Sequence, residues 1–508
     1  MFNFLWSIIV FCQNFLQKAT HYQFFAFLFS FYLLTRLNTW FYPIDNDHWI
    51  FWTVAQDWVT GGELYVTAWD HKPPMIFLFN VLLYILGGGN LWVHRFVITL
   101  FSFLGVILFY QLLQLLFSGN GQPETTLKVR LSVIIYVFWI NLSHISAGGN
   151  NNENLGLIFL IMSYLTYLYF WKSQKWFYLL LSGLGVSVLF FLKPNFILFF
   201  APILIDLIFK VKPFSLIKLV KIMFIIGLPI IIHTCFWLIY FYLNNSLHEF
   251  FIASFLFNSK YLATGWLGKV SGQSIFILII LPVILSLLLA VFHLFRKKIL
   301  LSETEWYNPG FILSWLITSV LYLIMLGTFY PYYYLMIAPV LSILVGLSLS
   351  KINWRSNFDK AILGLITVNF IGSFVFSLKQ PYNFFFGEAR DDFQEKVLVA
   401  EYVKANTTEK DTIIAYVYGS TFYYLTDRKP GVRYVSASHP LLDYREDFGF
   451  QFNRKFIEDA EKKQPKYLII ANSDNLYSVN QELMDYFYQN YSLEKTFANY
   501  SVLRRHSS

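Results

Sequence analysis

Between residues 22 and 378 the chain alternates long apolar runs with short charged loops. A run of about 18 or more apolar residues is long enough to cross a bilayer as a helix. The pattern predicts about eleven spans. They lie near residues 22–41, 91–117, 129–147, 153–171, 177–192, 195–210, 219–243, 274–295, 310–328, 333–350 and 361–378. The first residues, MFNFLWSIIVFCQNFLQK, are apolar but broken by Gln13 and Asn14. With no basic segment ahead of them and no small-residue cleavage site, they read as an interfacial helix rather than a cleaved signal peptide.

After Leu378 the pattern changes. EARDDFQEKVLVAEYVKAN and RKFIEDAEKKQ carry helical periodicity, whereas DTIIAYVYG, KYLIIAN and FANYSVLRR are short buried-strand patterns. Alternating helices and strands predict a small α/β domain over 379–508, following a membrane domain over 1–378 that includes the loop 42–90. The predicted class is therefore a polytopic α-helical membrane protein with a small C-terminal α/β domain. That domain shows no Gly-rich phosphate loop and no metal-ligand spacing.

Charge orients the spans. Lys128, Arg130, Lys172, Lys175, Lys210, Lys212, Lys218, Lys221, Arg296, Lys297, Lys298, Lys351, Arg355 and Lys360 fall in one set of loops. The alternate set holds little beyond Lys72, Lys193, Lys260 and Lys269. The positive-inside rule places the first set in the cytoplasm, and the loop 45–72 and the C-terminal domain outside.

Composition agrees. The 508 residues are 56% hydrophobic, 21% aromatic and only 13% charged, whereas soluble proteins carry about 25% charged residues. The net charge of +8 follows from the basic loops and carries no nucleic-acid signature. Cys12 and Cys235 each lie in an apolar run and predict neither disulfide nor zinc site.

Against this background the stretch Tyr42–Met75, YPIDNDHWIFWTVAQDWVTGGELYVTAWDHKPPM, stands apart. It holds Asp45 and Asp47, an amphipathic segment stopped by Gly61-Gly62, and the run Asp70-His71-Lys72-Pro73-Pro74. Asp45 or Asp47 can cap the helix beginning near His48. Capping accounts for one aspartate, and a carboxylate there can also serve as a general base on a hydroxyl, orient an acceptor, or help hold a divalent cation. Lys72 can snorkel, but a fixed cation at headgroup level beside Asp70 and His71 suits a lipid phosphate. Arg95 and Lys193 are further basic residues near membrane depth, where charge is costly; for Arg36, snorkelling suffices. Glu153 opens the fourth span among Asn150, Asn151, Asn152 and Asn154, a density of amides suited to a polyhydroxyl ligand. Tyr332 and Tyr333 belong to an aromatic run that is either an interfacial belt or a surface for sugar or isoprenoid.

Together these residues resemble the polytopic GT-C glycosyltransferases, in particular the protein-O-mannosyltransferase and aminoarabinose-transferase-like branch. The resemblance rests on Asp47 with Gly61 and then WDHKPP, on Asn152-Glu153, on Lys193-Pro194, and on Pro331-Tyr332-Tyr333 with Pro339. Two positions depart from the family pattern. Its Asp-Glu reads Asp47-His48, and its usual histidine is Tyr332.

The resemblance implies inverting transfer of a sugar from a polyprenyl-phosphate donor to a hydroxyl of a lipid, glycan or protein. The implied setting is the outer face of a bacterial plasma (inner) membrane. It assigns catalysis to Asp47 and Asp45, the donor phosphate to Lys72, Arg95 and Lys193, and sugar or acceptor contacts to His48, Asp70, His71, Asn152, Glu153, Tyr332 and Tyr333. No cofactor is required beyond a possible divalent metal ion on Asp45 and Asp47. Two other readings compete. A transporter or flippase of lipid-linked saccharide would place its ionisable groups at mid-membrane, and here they gather at span ends. A noncatalytic member of the same fold is the other, kept open by Asp47-His48.

Overall fold

The computed structural model describes residues 15–41, 46–117, 123–211, 215–259, 274–297, 309–326, 330–353, 355–416, 419–436, 451–472 and 481–506. The N-terminal apolar segment before residue 15, and Asp45, lie outside them. Among the described residues, six helices are long and apolar enough to cross a membrane: Leu91–Leu116, Asn152–Ser173, Leu216–Leu243, Pro309–Leu326, Pro331–Ser350 and one beginning at Asn357. Further helices cover other predicted spans at His21–Trp40, Pro123–Ile140 and Phe177–Leu192. This is a multi-pass helical membrane protein.

Contacts divide the chain into two compact units. One comprises 1–42, 96–234 and 265–381; the other comprises 43–95, 235–264 and 382–508. The first is a helical bundle held by close backbone approaches at small residues. Ser163 Oγ donates to Ser182 O at 3.0 Å, joining Asn152–Ser173 to Phe177–Leu192. A Cβ at Gly185 would lie 2.8 Å from Phe159 O, so glycine is what lets these two helices meet. Two predicted spans open with a 3₁₀ turn: Pro194–Phe200 ahead of Ala201–Lys210, and Pro331–Ile337 ahead of Ala338–Ser350. In both, proline begins the turn where its missing N–H costs nothing.

Arg36 does not snorkel. It is 2% exposed, donates to Asn141 Oδ1 at 3.3 Å, and packs under Gly149, whose φ of 90° and missing side chain leave room for the guanidinium. Burial with a hydrogen-bond partner replaces the expected reach to the interface.

The second unit contains the helix Asn46–Val59, the apolar helix Pro74–Gly87 and the C-terminal sheet. Gly61, at φ 94°, and Gly62 close the first helix, with Gly62 N–H donating to Asp57 O at 2.8 Å. The sheet order is β1-β2-β4-β3, from Ile413–Ala415, Tyr467–Ala471, Tyr500–Arg505 and Tyr491–Thr496. β1 and β2 are parallel; β4 runs antiparallel to both of its neighbours. The first four residues of β2 are buried, which explains its unbroken apolar run. The helix Asn357–Phe386 continues through Leu378, and Glu388–Ala405 follows it.

Candidate functional site

Each unit carries one cluster of the residues singled out above. In the second unit the loop between Gly62 and Pro74 folds back on itself, with Tyr65 N–H donating to Ala68 O at 3.0 Å. The Tyr65 hydroxyl donates to Lys72 O at 2.8 Å and meets Ser254 Oγ at 3.3 Å. Asn258 Nδ2 donates to His71 O at 2.7 Å. The peptide carrying His71 and Lys72 is thus held from both sides.

Its side chains form a chain of contacts. Lys72 Nζ lies 2.8 Å from His71 Nε2, and His71 Nδ1 lies 3.6 Å from Asp70 Oδ2. An ammonium has only protons to give, so Nε2 accepts and the ring proton sits on Nδ1, facing Asp70. Burial works to raise the Asp70 carboxyl, but the Lys72 ammonium and His71 outweigh it, and the Lys72 backbone N–H adds a bond; Asp70 is held well below the ordinary carboxylate range. Burial and the neighbouring ammonium push His71 down, while Asp70 and, more weakly, Asp47 push it up. Asp70 and His71 are themselves buried, whereas Lys72 is half-buried. Their geometry makes them positioning residues for the Lys72 ammonium.

Asp47 lies in the first turn of Asn46–Val59, where a carboxylate is favoured by the helix dipole, and is partly exposed. It acts on the His71 ring. His48 turns inward, 7% exposed, against Trp49 and His94. Burial, then His94 and Arg95, lower its pKa to about 3. Arg95 is buried, with its guanidinium 5.1 Å from the Trp92 ring.

The His48 shift gives a pH prediction. The unfolded chain protonates this ring near pH 6.5 and the folded chain only near 3, so stability is full above 6.5 and is lost as pH falls through that window. His48→Gln is expected to flatten thermal melting between pH 6.5 and 3. A variant as acid-sensitive as the wild type would remove His48 as the cause.

The first unit brings together Glu153, Lys193, Tyr322 and Tyr333. Lys193 Nζ donates to Glu153 Oε1 at 2.7 Å and to Tyr322 Oη at 3.2 Å, and sits 3.8 Å from the Tyr333 ring centre. The Tyr322 hydroxyl donates to the same carboxylate oxygen at 3.3 Å. Glu153 is 1% exposed, so this pair is desolvated and its partners are needed. Tyr332 stacks on Tyr330 at 5.5 Å.

Two members of the asparagine run bond to each other and to the preceding turn. Asn151 Oδ1 accepts from Asn154 N–H and Nδ2, and both side chains donate to Ser146 O. Asn151 thereby caps the helix beginning at Asn152, and Asn154 ties that cap to the preceding turn. Asn152 Oδ1 is buried without a hydrogen-bond partner among the described residues.

Sequence reasoning missed Tyr322, Tyr65, Ser254 and Asn258. Tyr322 lies inside a predominantly apolar helix, and the others are identified only by contacts that the fold creates. Among the described residues, no three His, Cys, Asp or Glu side chains are placed to hold a metal ion.

With this geometry in view, comparison with solved structures is decisive for the fold. ArnT from Cupriavidus metallidurans bound to undecaprenyl phosphate matches over 94% of this chain and 98% of its own, with a TM-score of 0.60 and 12% identity. The Archaeoglobus fulgidus oligosaccharyltransferase in its apo form matches over 89% of this chain and 70% of its own, with a TM-score of 0.54 and 13% identity. The fold is the GT-C glycosyltransferase fold. The same archaeal enzyme, AglB, in complex with an inhibitory peptide and a dolichol-phosphate, also matches, with a TM-score of 0.51 and 11% identity. It is matched over 88% of this chain and 69% of its own. The sequence profile of the dolichyl-phosphate-mannose-protein mannosyltransferases matches residues 71–240, beginning within the Asp70-His71-Lys72 run of this GT-C chain. No curated protein matches by sequence.

Proposed function

We propose that this GT-C protein is an inverting glycosyltransferase that moves a sugar from a polyprenyl-phosphate donor to an acceptor hydroxyl. The observation that carries the reading is the Lys72 ammonium, held by buried His71 and Asp70 on a loop that also feels Asp47. The acceptor O–H is deprotonated by the Asp47 carboxylate as its oxygen bonds to the anomeric carbon. The bond from that carbon to the phosphate oxygen breaks on the opposite side, and the electron pair leaves with the phosphate. Lys72 compensates the charge that develops there, so no acid is needed to protonate the leaving group. Arg95 and Lys193 are assigned to the same phosphate by the resemblance, and the same assay tests them.

The experiment is incubation of the purified protein with a panel of radiolabelled polyprenyl-phosphate sugars and candidate lipid, glycan and peptide acceptors. Transfer with inversion at the anomeric carbon is the expected result. Movement of the lipid-linked sugar across vesicles without transfer would replace this reading by a transporter. Chelation in the same assay, followed by restoration of a divalent ion, tests the metal proposed for Asp45 and Asp47.

We also propose that the loop 45–72 and the C-terminal domain face outward. Asn406→Cys is expected to react with an impermeant thiol reagent in intact cells, and Arg355→Cys only after permeabilisation, both side chains being exposed. Labelling of position 355 from outside would reverse the orientation.

A further inference from the structure

Away from these clusters, the first unit gathers hydrogen-bond donors around one indole ring. Trp171 lies in the last turn of Asn152–Ser173; Lys210 Nζ sits 5.4 Å from its ring centre and Lys218 Nζ 5.6 Å. Trp171 Nε1 is buried and has no hydrogen-bond partner among the described residues. Beside it, Lys221 Nζ lies 4.5 Å over Trp176, and Phe170 links the two indoles at 5.3 Å from each. An acid at the cluster, Asp206, is already engaged by the Tyr167 hydroxyl at 2.8 Å and by Lys210 at 3.0 Å.

The lysines are not explained by helix electrostatics. Lys218 and Lys221 stand in the opening turns of Leu216–Leu243, where the dipole favours anions, and no acidic residue occupies the first turn there. Two exposed cations at the positive end of a helix, beside an indole N–H with no hydrogen-bond partner among the described residues, form a donor set suited to an anion. The surroundings say what kind of acceptor. Phe177, Phe209 and Ile217, the chain neighbours of Trp176, Lys210 and Lys218, are 61%, 64% and 83% exposed, apolar surface suited to acyl chains.

We propose that Trp171, Lys210, Lys218 and Lys221 form a binding site for the phosphate headgroup of an anionic membrane phospholipid, separate from the donor-lipid chemistry above. The ammonium groups supply charge-assisted bonds to phosphate oxygens, and the indole N–H fixes one oxygen in place.

The test is native mass spectrometry of the detergent-purified protein titrated with phosphatidylglycerol and, separately, phosphatidylcholine of the same acyl chains. The wild type is expected to retain phosphatidylglycerol about tenfold more strongly, of the order one charge-assisted contact gives. Lys218→Gln and Trp171→Phe should each reduce that preference several-fold; the second keeps the ring and removes only the donor. Lys172→Gln and Lys175→Gln remove equally exposed charges nearby and should leave it intact, while phosphatidylcholine retention reports that each variant is folded. Equal loss in all four variants would reduce the site to diffuse surface charge, and no loss in Lys218→Gln would remove it. Displacement of phosphatidylglycerol by millimolar inorganic phosphate would overturn the lipid assignment in favour of a soluble anion.

Discussion

Asp47→Asn is expected to lower single-turnover transfer by about 10²–10⁴-fold while leaving donor affinity close to that of the wild type. An acceptor hydroxyl is a weak nucleophile near neutral pH, and the substitution keeps the size of the side chain while removing its basicity. Asp47 stands at the first turn of its helix, where asparagine is also tolerated, so the fold survives the change. Its influence on the His71 ring places it within electrostatic reach of the loop that positions Lys72. Asp45→Asn is expected to be milder, acting through orientation. Full turnover in Asp47→Asn with loss in Asp45→Asn would move the base two residues upstream, and full turnover in both would remove the aspartates from the chemistry.

The second large effect concerns the buried pair in the first unit. Lys193→Met leaves the Glu153 carboxylate desolvated and uncompensated, and loss of one partner from such a pair costs about 3–5 kcal/mol. Glu153→Gln combined with Lys193→Met removes both charges and is expected to regain most of that stability in thermal melting. Transfer activity then separates the two roles of the lysine. If Lys193 serves the donor, the double variant melts near the wild type yet stays inactive. Recovery of activity along with stability would make the pair a structural clamp.

Much of this protein is written in local pattern. The spans follow from long apolar runs, and WDHKPP is visible because charge is scarce around it. The C-terminal helices Glu388–Ala405 and Phe452–Lys463 and the strands β1 and β2 are equally plain. The hairpin of β3 and β4 was half hidden: Tyr491–Thr496 exposes five of its six residues and so lacks a buried-strand signature. At the candidate site, residue types were legible and their partners were not. Asp70 and His71 read as ligand contacts, and only the fold shows their contacts with each other and with Lys72. Asn151 and Asn154 read as part of an amide-rich patch, and only the fold shows the bonds between them at the start of the helix. Tyr322 carried no signal, since a tyrosine in an apolar span looks like any other until a carboxylate meets its hydroxyl.

One backbone bond has a consequence for how the protein is made. Trp69 N–H donates to Arg433 O at 2.7 Å, and the Trp69 ring packs on Tyr434 and Phe452 within the same unit. Arg433 is itself clamped by Asp459, through Nε at 2.7 Å and Nη2 at 2.8 Å. A ribosome that has delivered Trp69 must therefore translate more than 350 further residues before this bond can form. Until then Trp69 waits for a partner of very high sequence separation, the circumstance in which folding is slowest and chaperones are most needed. The Trp69–Arg433 bond therefore forms after the spans have been synthesised, not while they are being inserted.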